Sequence, residues 1–332
     1  MDKNELKTAI KYFLPYGYIK SRDNKFLSTE ETTIEPAIYN RNGNRKRTFY
    51  LQDRVCKHSP YSFSSMNVGE TQFINWDRSN IALPIHFYSH NEIFNKQYKC
   101  KKKFGIIVES ETIIPELYEK CIKNEKVINS FDGIFTHSDR LLDKYNNTYF
   151  IPGSSVWYGG TAGGGILNEE IYRSKTKLIS LVTSSKAQCE LHKYRMQLAE
   201  WLYDNEKVDV MGTFKGGKYI SISESLSSYR YSIVVENNIT SCYFTEKLLN
   251  CFAAMTIPIY IGAKDIACYF NTDGIIQIDP GMKKNDIISI VNGCTEELYT
   301  EKTDFIKDNY RRVQNYQCIE DYIFKYYKRL FE

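Results

Sequence analysis

Residues 231–263 read YSIVVENNITSCYFTEKLLNCFAAMTIPIYIGA and change pattern twice. Residues 231–235 (YSIVV) and 256–262 (TIPIYIG) are short, continuous apolar runs, which are typical of parallel strands buried on both faces. Residues 245–255 (TEKLLNCFAAM), between them, have the apolar spacing of an amphipathic helix. The stretch therefore predicts a strand, a helix and a second parallel strand, which together form the repeat unit of an α/β fold.

The same alternation extends along the chain in both directions. Strands are predicted at residues 104–109, 131–136, 149–153, 177–185, 208–212 and 274–280, and helices at 114–126, 137–145 and 192–205. Residues 81–88 (IALPIHFY) predict a strand near a sheet edge, because Pro84 cannot donate to a central ladder. The glycine-rich residues 157–166 (WYGGTAGGGI) predict a flexible loop between domains, since no helix clearly starts behind them. The pattern predicts an α/β fold with two tandem Rossmann-like domains.

The composition bounds the class of protein. The chain has 332 residues, of which 42% are hydrophobic and 25% charged, as in globular proteins. A net charge of +4 does not indicate nucleic-acid binding, although basic residues cluster at 41–47 and 96–103. Nine scattered cysteines without a CxxC pair indicate a reducing compartment. With no signal peptide and no apolar run of membrane-spanning length, the sequence predicts a cytoplasmic protein.

Polar side chains crowd the junction between the strand at 231–235 and the helix that follows. The carboxyl ends of parallel strands are where ligands bind in open α/β sheets, and a helix N-terminus attracts phosphate. A helix cap at Thr245 and a favourable first-turn charge at Glu246 would explain those two residues alone. The junction as a whole favours a nucleotide-sugar site. Its candidate residues are Glu236, Asn237, Tyr243, Thr245, Glu246 and Lys247.

The order of these residues resembles the donor-binding motif of the α-1,3-fucosyltransferases, glycosyltransferase family ten. VVENN at 234–238, CYFTEK at 242–247 and TIPIYIG at 256–262 follow that motif in sequence. Val235, Asn238 and Phe244 replace the usual Phe, Ser and aliphatic residue, which leaves the donor sugar open. The resemblance implies GT-B architecture, in which two Rossmann-like domains flank a cleft. Residues 1–165 would bind the acceptor and residues 166–315 the donor, followed by a helical tail at 316–332.

The resemblance extends upstream and supplies the remaining candidate residues. LVTSS at 181–185 and HKYRMQLAEWL at 192–202 resemble the family's strand and Arg-led helix. The resemblance implies that Arg195 binds the diphosphate. GIIVESETIIP at 105–115 resembles the acceptor-domain strand of the family. By that correspondence Glu109 is the general base, and Glu111 is the alternative candidate for that role.

The resemblance implies an inverting transfer of L-fucose from GDP-fucose to a hydroxyl of an oligosaccharide acceptor. We expect a role in surface polysaccharide or lipopolysaccharide synthesis, because the sequence shows no membrane anchor and no signal peptide. No Asp-x-Asp triplet occurs, so no tightly bound metal or other cofactor is expected, although weak stimulation by Mn²⁺ or Mg²⁺ remains open.

Two other functions remain open. One is a GT-B transferase that uses another nucleotide sugar, such as another deoxyhexose or a heptose. The other is a non-catalytic glycan-binding protein.

The tail at 310–332 is aromatic and basic. It predicts either a packing helix or a helix that touches the inner face of a membrane.

Overall fold

The computed structural model describes residues 35–54, 71–160 and 163–332. Two parallel sheets form within these ranges. The first has the order β2-β1-β3-β4-β5-β6 and the second the order β11-β10-β9-β7-β8. The strands are β1 Arg47–Gln52, β2 Ile74–Asp77, β3 Ile85–Ser89, β4 Lys102–Ile107, β5 Gly133–Thr136, β6 Thr148–Phe150, β7 Lys177–Val182, β8 Val208–Met211, β9 Tyr229–Val235, β10 Ile257–Ile261 and β11 Ile276–Gln277.

Helices connect the strands, as the alternating sequence pattern predicts. They are α1 Pro115–Lys123, α2 Glu125–Ile128, α3 Asp139–Lys144, α4 Glu190–Leu202, α5 Ile222–Leu226, α6 Glu246–Ala253, α7 Lys284–Gly293, α8 Glu296–Glu301, α9 Thr303–Val313 and α10 Ile319–Tyr327. Every residue of β9 is buried, which explains why that strand reads as a continuous apolar run. The α/β prediction is confirmed by the two parallel sheets, whereas the domain bounds at residues 165 and 315 stay predictions.

The prediction of an edge strand at residues 81–88 is wrong. The strand, β3, lies inside the first sheet and pairs with both β1 and β4. Pro84 precedes the strand, and its carbonyl accepts hydrogen bonds from the backbone N–H groups of Lys101 and Lys102. Because Pro84 stands outside the ladder, its missing N–H removes no inter-strand bond. Two further strands of this sheet, β1 and β2, had no clear periodicity in the sequence.

The carboxyl-terminal tail packs back on the first sheet. Phe331 is 3% exposed, and its ring lies 5.2 Å from the ring centroids of both Phe49 and Phe104. Trp76 donates from Nε1 to Glu320 at 3.2 Å, and the carboxylate of Asp321 accepts from the backbone N–H of Gln72 at 2.8 Å. The structure thus shows the packing alternative for this segment, with its apolar side chains buried.

Parts of the sequence-based predictions fall outside the described residues. These are residues 1–34 and 55–70 of the predicted acceptor domain and residues 161–162 of the glycine-rich loop. Within the described ranges, no helix has both the length and the apolar character needed to cross a bilayer.

Candidate functional site

The candidate site lies where β9 ends and α6 begins. The backbone N–H of Glu236 donates to Ile261 at 2.9 Å, so the ladder between β9 and β10 runs to the end of the strand. This pairing places Glu236 at the carboxyl edge of the sheet in a buried position, where the residue is 0% exposed. A carboxylate in such a position needs partners for its charge and its lone pairs.

Those partners come from the first turn of α6. The backbone N–H of Thr245 donates to one oxygen of Glu236 at 2.8 Å, and its hydroxyl donates to the other at 2.7 Å. Lys247 Nζ lies 3.3 Å from Glu236 Oε2. Burial raises the pKa of Glu236, and the charge of Lys247 opposes that rise. Burial likewise acts to lower the pKa of Lys247, but Glu246 and Glu236 outweigh it and raise that pKa, so the ammonium stays charged.

Thr245 is the N-cap of α6, and its hydroxyl accepts from the backbone N–H of Lys247. Its role in the structure is therefore to cap the helix and to hold Glu236. Glu246 is different, because its side chain remains 20% exposed while one of its oxygens lies 3.5 Å from Lys247 Nζ. Glu246 is thus available to a ligand, whereas Glu236 and Thr245 are buried and hold Lys247 in position through contacts with its ammonium.

A cavity of about 200 Å³ opens beside this cluster, between the second sheet and the helices α5 and α6. Its walls bring together three of the residues predicted from sequence, Arg195, Glu246 and Lys247. They also include apolar side chains of β9 and a run of residues before and within α5. These further lining residues are Ile220, Ser221, Ile222, Ser225, Leu226 and Val234.

Arg195 reaches the cavity from α4, and its Nε donates to the hydroxyl of Thr183 at 3.2 Å. Its two terminal nitrogens make no hydrogen bond to any of the described residues. Burial lowers the pKa of Arg195, opposed by Cys189 and Glu236, but a guanidinium stays protonated at neutral pH. The fork of Arg195 and the ammonium of Lys247 therefore present two cations to one cavity.

Asn237 and Tyr243 do not line the cavity. The side-chain oxygen of Asn237 lies 2.9 Å from His192 Nε2 on α4. Tyr243 is 2% exposed, and its ring lies 4.5 Å from that of His137 in the first domain. A Cβ at Gly153 would come within 2.8 Å of the Tyr243 ring, so glycine permits this close packing. Tyr243 therefore belongs to the contact between the domains.

In the first domain, Glu109 follows β4, and its backbone groups make hydrogen bonds to neighbouring side chains. Its carbonyl accepts from the Tyr118 hydroxyl at 2.6 Å, and His137 Nε2 lies 3.3 Å from the same oxygen. Its N–H donates to His90 Nε2 at 3.4 Å. Burial lowers the pKa of His137 to about 4 and that of His90 to about 4, so both rings are neutral at pH 7.

The side chain of Glu109 is less engaged than that of Glu111. Glu109 Oε1 accepts from the Ser110 N–H at 2.9 Å, and Oε2 has no hydrogen-bond partner among the described residues. Glu111 accepts from the Ser138 hydroxyl and lies 3.2 Å from Arg140. Glu111 is thus occupied by the N-cap of α3 and by an ion pair, which leaves Glu109 as the more available carboxylate.

The segments that follow β4 and β9 meet across the two domains. The Thr112 hydroxyl donates to the backbone carbonyl of Asn237 at 2.9 Å. A second contact joins the two domains where the N–H of Ser241 donates to Asp139 at 2.6 Å. Glu109 therefore stands on a segment that touches the donor-side loop, although the two were predicted from separate stretches of sequence.

Four residues near the site were not found from the sequence. His192, His90 and His137 are isolated histidines in runs of mixed character, and nothing in their spacing marks them. Trp157 belongs to the glycine-rich stretch that was interpreted as a flexible loop, yet it lines the cavity. The pair of aromatic residues before that glycine run, Trp157 and Tyr158, was the available signal.

Comparisons with known proteins agree with the position of this site. Residues 172–321 match the sequence model of the glycosyltransferase family 10 (fucosyltransferase) C-terminal domain. A segment of 93 residues is 27% identical to the α-(1,3)-fucosyltransferase FucT of Helicobacter pylori. That segment covers 28% of this chain and 19% of the relative, so the chain aligns with about a fifth of the relative's length.

Solved structures agree with the fold. A crystal structure of an α1,3-fucosyltransferase with GDP-fucose superposes with a TM-score of 0.51 at 16% identity, covering 92% of this chain and 94% of that chain. One with GDP superposes with a TM-score of 0.50 at 15% identity, covering 92% and 94%. At these identities the likeness establishes the fold, and the predicted GT-B architecture is confirmed. Residues 172–321 thus match the C-terminal domain of glycosyltransferase family 10, and the resemblance drawn from the donor motif is confirmed.

Proposed function

We propose that this protein is an inverting glycosyltransferase that moves L-fucose from GDP-fucose to a hydroxyl of a glycan acceptor. The observation that carries the proposal is the convergence of Arg195, Glu246 and Lys247 on one cavity at the carboxyl edge of the second sheet. This edge is where α/β sheets bind nucleotides, and the residues that line the cavity, apart from Trp157, lie within the stretch that matches the family.

The diphosphate is the part of the donor that this cavity fits best. Arg195 offers two terminal nitrogens in a planar fork, which matches phosphate oxygens bidentately. Lys247 adds a second cation in the first turn of α6, where the helix dipole favours negative charge. Glu246, at the cavity wall, is placed to accept hydrogen bonds from ribose or sugar hydroxyls.

Glu109 is proposed as the general base. It takes the proton from the acceptor hydroxyl, whose oxygen then forms a bond to the anomeric carbon of the sugar. The bond from that carbon to the diphosphate breaks, and GDP leaves with the electron pair. Arg195 and Lys247 stabilise the charge that grows on the leaving diphosphate. Attack from the face opposite the leaving group inverts the anomeric centre.

Because two side-chain cations already serve the diphosphate, we expect turnover to persist in EDTA, with at most weak stimulation by Mn²⁺ or Mg²⁺. Loss of all turnover in EDTA would contradict this part of the proposal. We propose a surface polysaccharide or lipopolysaccharide as the acceptor.

Transfer of another sugar remains the second candidate function, and the position of one residue, Val235, favours it. Of the three positions that depart from the family motif, Phe244 points into an aromatic core and is 0% exposed, and the side chain of Asn238 accepts from the N–H of Ile239. Val235, by contrast, lines the cavity. A change from Phe to Val there enlarges the space available to a donor.

The test is a thermal-shift panel with GDP, UDP, CMP and dTDP, followed by GDP-fucose and GDP-mannose. We expect selective stabilisation by GDP and a larger shift with GDP-fucose. Arg195→Ala should remove most of the shift, because a hydrogen bond to a charged group contributes about 1.5–3 kcal/mol. Lys193→Ala is the matched control, since Lys193 lies on the same helix and pairs with exposed Glu190. Stabilisation by UDP or dTDP instead of GDP would overturn the proposed donor.

A further inference from the structure

The segment that joins the two sheets is hydrogen-bonded to α6, the helix that carries Glu246 and Lys247. The side-chain oxygen of Asn250, on α6, accepts from the backbone N–H groups of both Trp157 and Tyr158, at 2.7 and 2.8 Å. The hydroxyls of Tyr158 and Ser227 lie 2.9 Å apart. A double acceptor of this kind fixes the backbone at Trp157, so the direction of the indole follows from the position of α6.

Trp157 forms part of the cavity wall. Trp157 lines the same cavity as Arg195 and Lys247, although it belongs to the connecting segment and not to a strand or helix of either sheet. Its Nε1 is buried and has no hydrogen-bond partner among the described residues. A buried donor without an acceptor costs about 1–3 kcal/mol, and Trp is a donor only, so this N–H is available to an oxygen or nitrogen of a bound molecule.

We infer that Trp157 is a donor-binding residue whose indole N–H donates to an oxygen of the bound GDP moiety. The inference rests on the proposed function and extends it by one residue that neither the motif nor the comparisons indicate. A nucleoside diphosphate fits because the cavity pairs two cations, Arg195 and Lys247, with a flat aromatic ring and apolar strand residues. Phosphate, ribose and base oxygens are all acceptors.

A second consequence follows from where Trp157 stands in the chain. Since Trp157 lies on the connection between the two sheets, a nucleotide that engages the indole stabilises the position of that connection against α6. Binding of the donor is thereby linked to the arrangement of the acceptor-side domain. A residue within either sheet would not provide this link.

Intrinsic fluorescence tests the inference directly, because the chain has three tryptophans. Trp76 is buried in the first domain and already donates to Glu320. Trp201 lies on α4, with its ring 6.2 Å from that of Tyr194, and does not line the cavity. A fluorescence change on titration with GDP should therefore come from Trp157.

In Trp157→Phe, which keeps a ring but removes the N–H, we expect the GDP-induced change to disappear. We expect the dissociation constant for GDP, measured by calorimetry, to rise about two- to tenfold. Trp201→Phe is the matched control and should keep both the change and the affinity, while the thermal midpoint without ligand should be close to wild type in both variants.

Two results would overturn the inference alone: Trp157→Phe with unchanged GDP affinity, or Trp201→Phe protein that binds GDP without a fluorescence change. The second result does not depend on altering Trp157, so a folding defect in one variant leaves the test intact. Failure of the wild-type protein to bind GDP would overturn the proposed donor and this inference together.

Discussion

Lys247 Nζ lies 3.3 Å from the buried carboxylate of Glu236 and 3.5 Å from Glu246. One ammonium therefore contacts two carboxylates, of which that of Glu246 belongs to a residue at the cavity wall. The two carboxylates differ in exposure, at 0% and 20% of their side chains. This difference separates their roles. Glu236 fixes Lys247 in place, and Glu246 remains available to a ligand.

Replacing each of these carboxylates by its amide tests that separation. Glu236→Gln should lower the free energy of unfolding by about 3–5 kcal/mol, because it removes one partner of a buried ion pair. Glu246→Gln should cost no more than about 1 kcal/mol, as for a partly exposed pair, but should weaken GDP-fucose binding. Urea unfolding and calorimetry measure the two effects. Equal losses of stability in the two variants would show that both residues are structural.

Glu109 and Glu111 offer a second matched pair. Glu109→Gln should lower turnover by about 10²- to 10⁴-fold, the usual contribution of a general base, while leaving GDP affinity unchanged. Glu111→Gln should weaken the contacts with Ser138 and Arg140 and change turnover only severalfold. A Glu109→Gln enzyme that retained turnover while Glu111→Gln lost it would assign the base to Glu111. A wild-type protein that binds GDP-fucose but transfers to no acceptor would support the non-catalytic alternative.

Lys175 predicts a pH dependence of stability. It is 5% exposed and donates to Leu226 and Thr256 at 2.8 and 2.9 Å, without a carboxylate partner in the described part of the chain. Burial lowers its pKa to about 7. Between that value and the unfolded pKa of about 10.4, the unfolded chain holds more protons, so this residue makes stability rise as pH increases.

The test compares wild type with Lys175→Met by urea unfolding at two pH values. The free energy of unfolding of wild type relative to Lys175→Met should increase by about 2 kcal/mol between about pH 7 and pH 9. The difference between the two proteins cancels the titration of tyrosines and cysteines that both contain. A difference that stays constant with pH would mean that Lys175 remains charged in the folded protein.

The sequence predicted the second domain better than the first, for a physical reason. β9 and β10 are buried on both faces and therefore read as apolar runs, and α6 has an apolar face between them. In the first domain, β2 is only alternately buried, and β1 begins in a basic stretch. The alternate burial of β2 and the charged start of β1 leave weaker patterns than a fully apolar run, so these strands could not be identified without their neighbours.

The candidate site was partly predictable for a related reason. Glu246 and Lys247 were found because charged residues beside a strand end and a helix start indicate chemistry, and Arg195 was found because the resemblance to the family extends to its Arg-led helix. Tyr243 was predicted to bind the donor, but its location at the contact with His137 depends on how two distant segments meet. The same holds for Trp157. Sequence spacing along one strand–helix unit carries no information about what another domain places against it.

The tail supplies the final prediction. Phe331 is 3% exposed within a cluster of aromatic rings on the first sheet, whereas Tyr326 is 50% exposed. Phe331→Ala should lower the free energy of unfolding by about 3–5 kcal/mol through the cavity it leaves. Tyr326→Ala, the matched control, should stay within about 0.5 kcal/mol of wild type. If both substitutions were neutral in urea unfolding, the tail would not be part of the folded core, and its alternative role at a membrane surface would regain support.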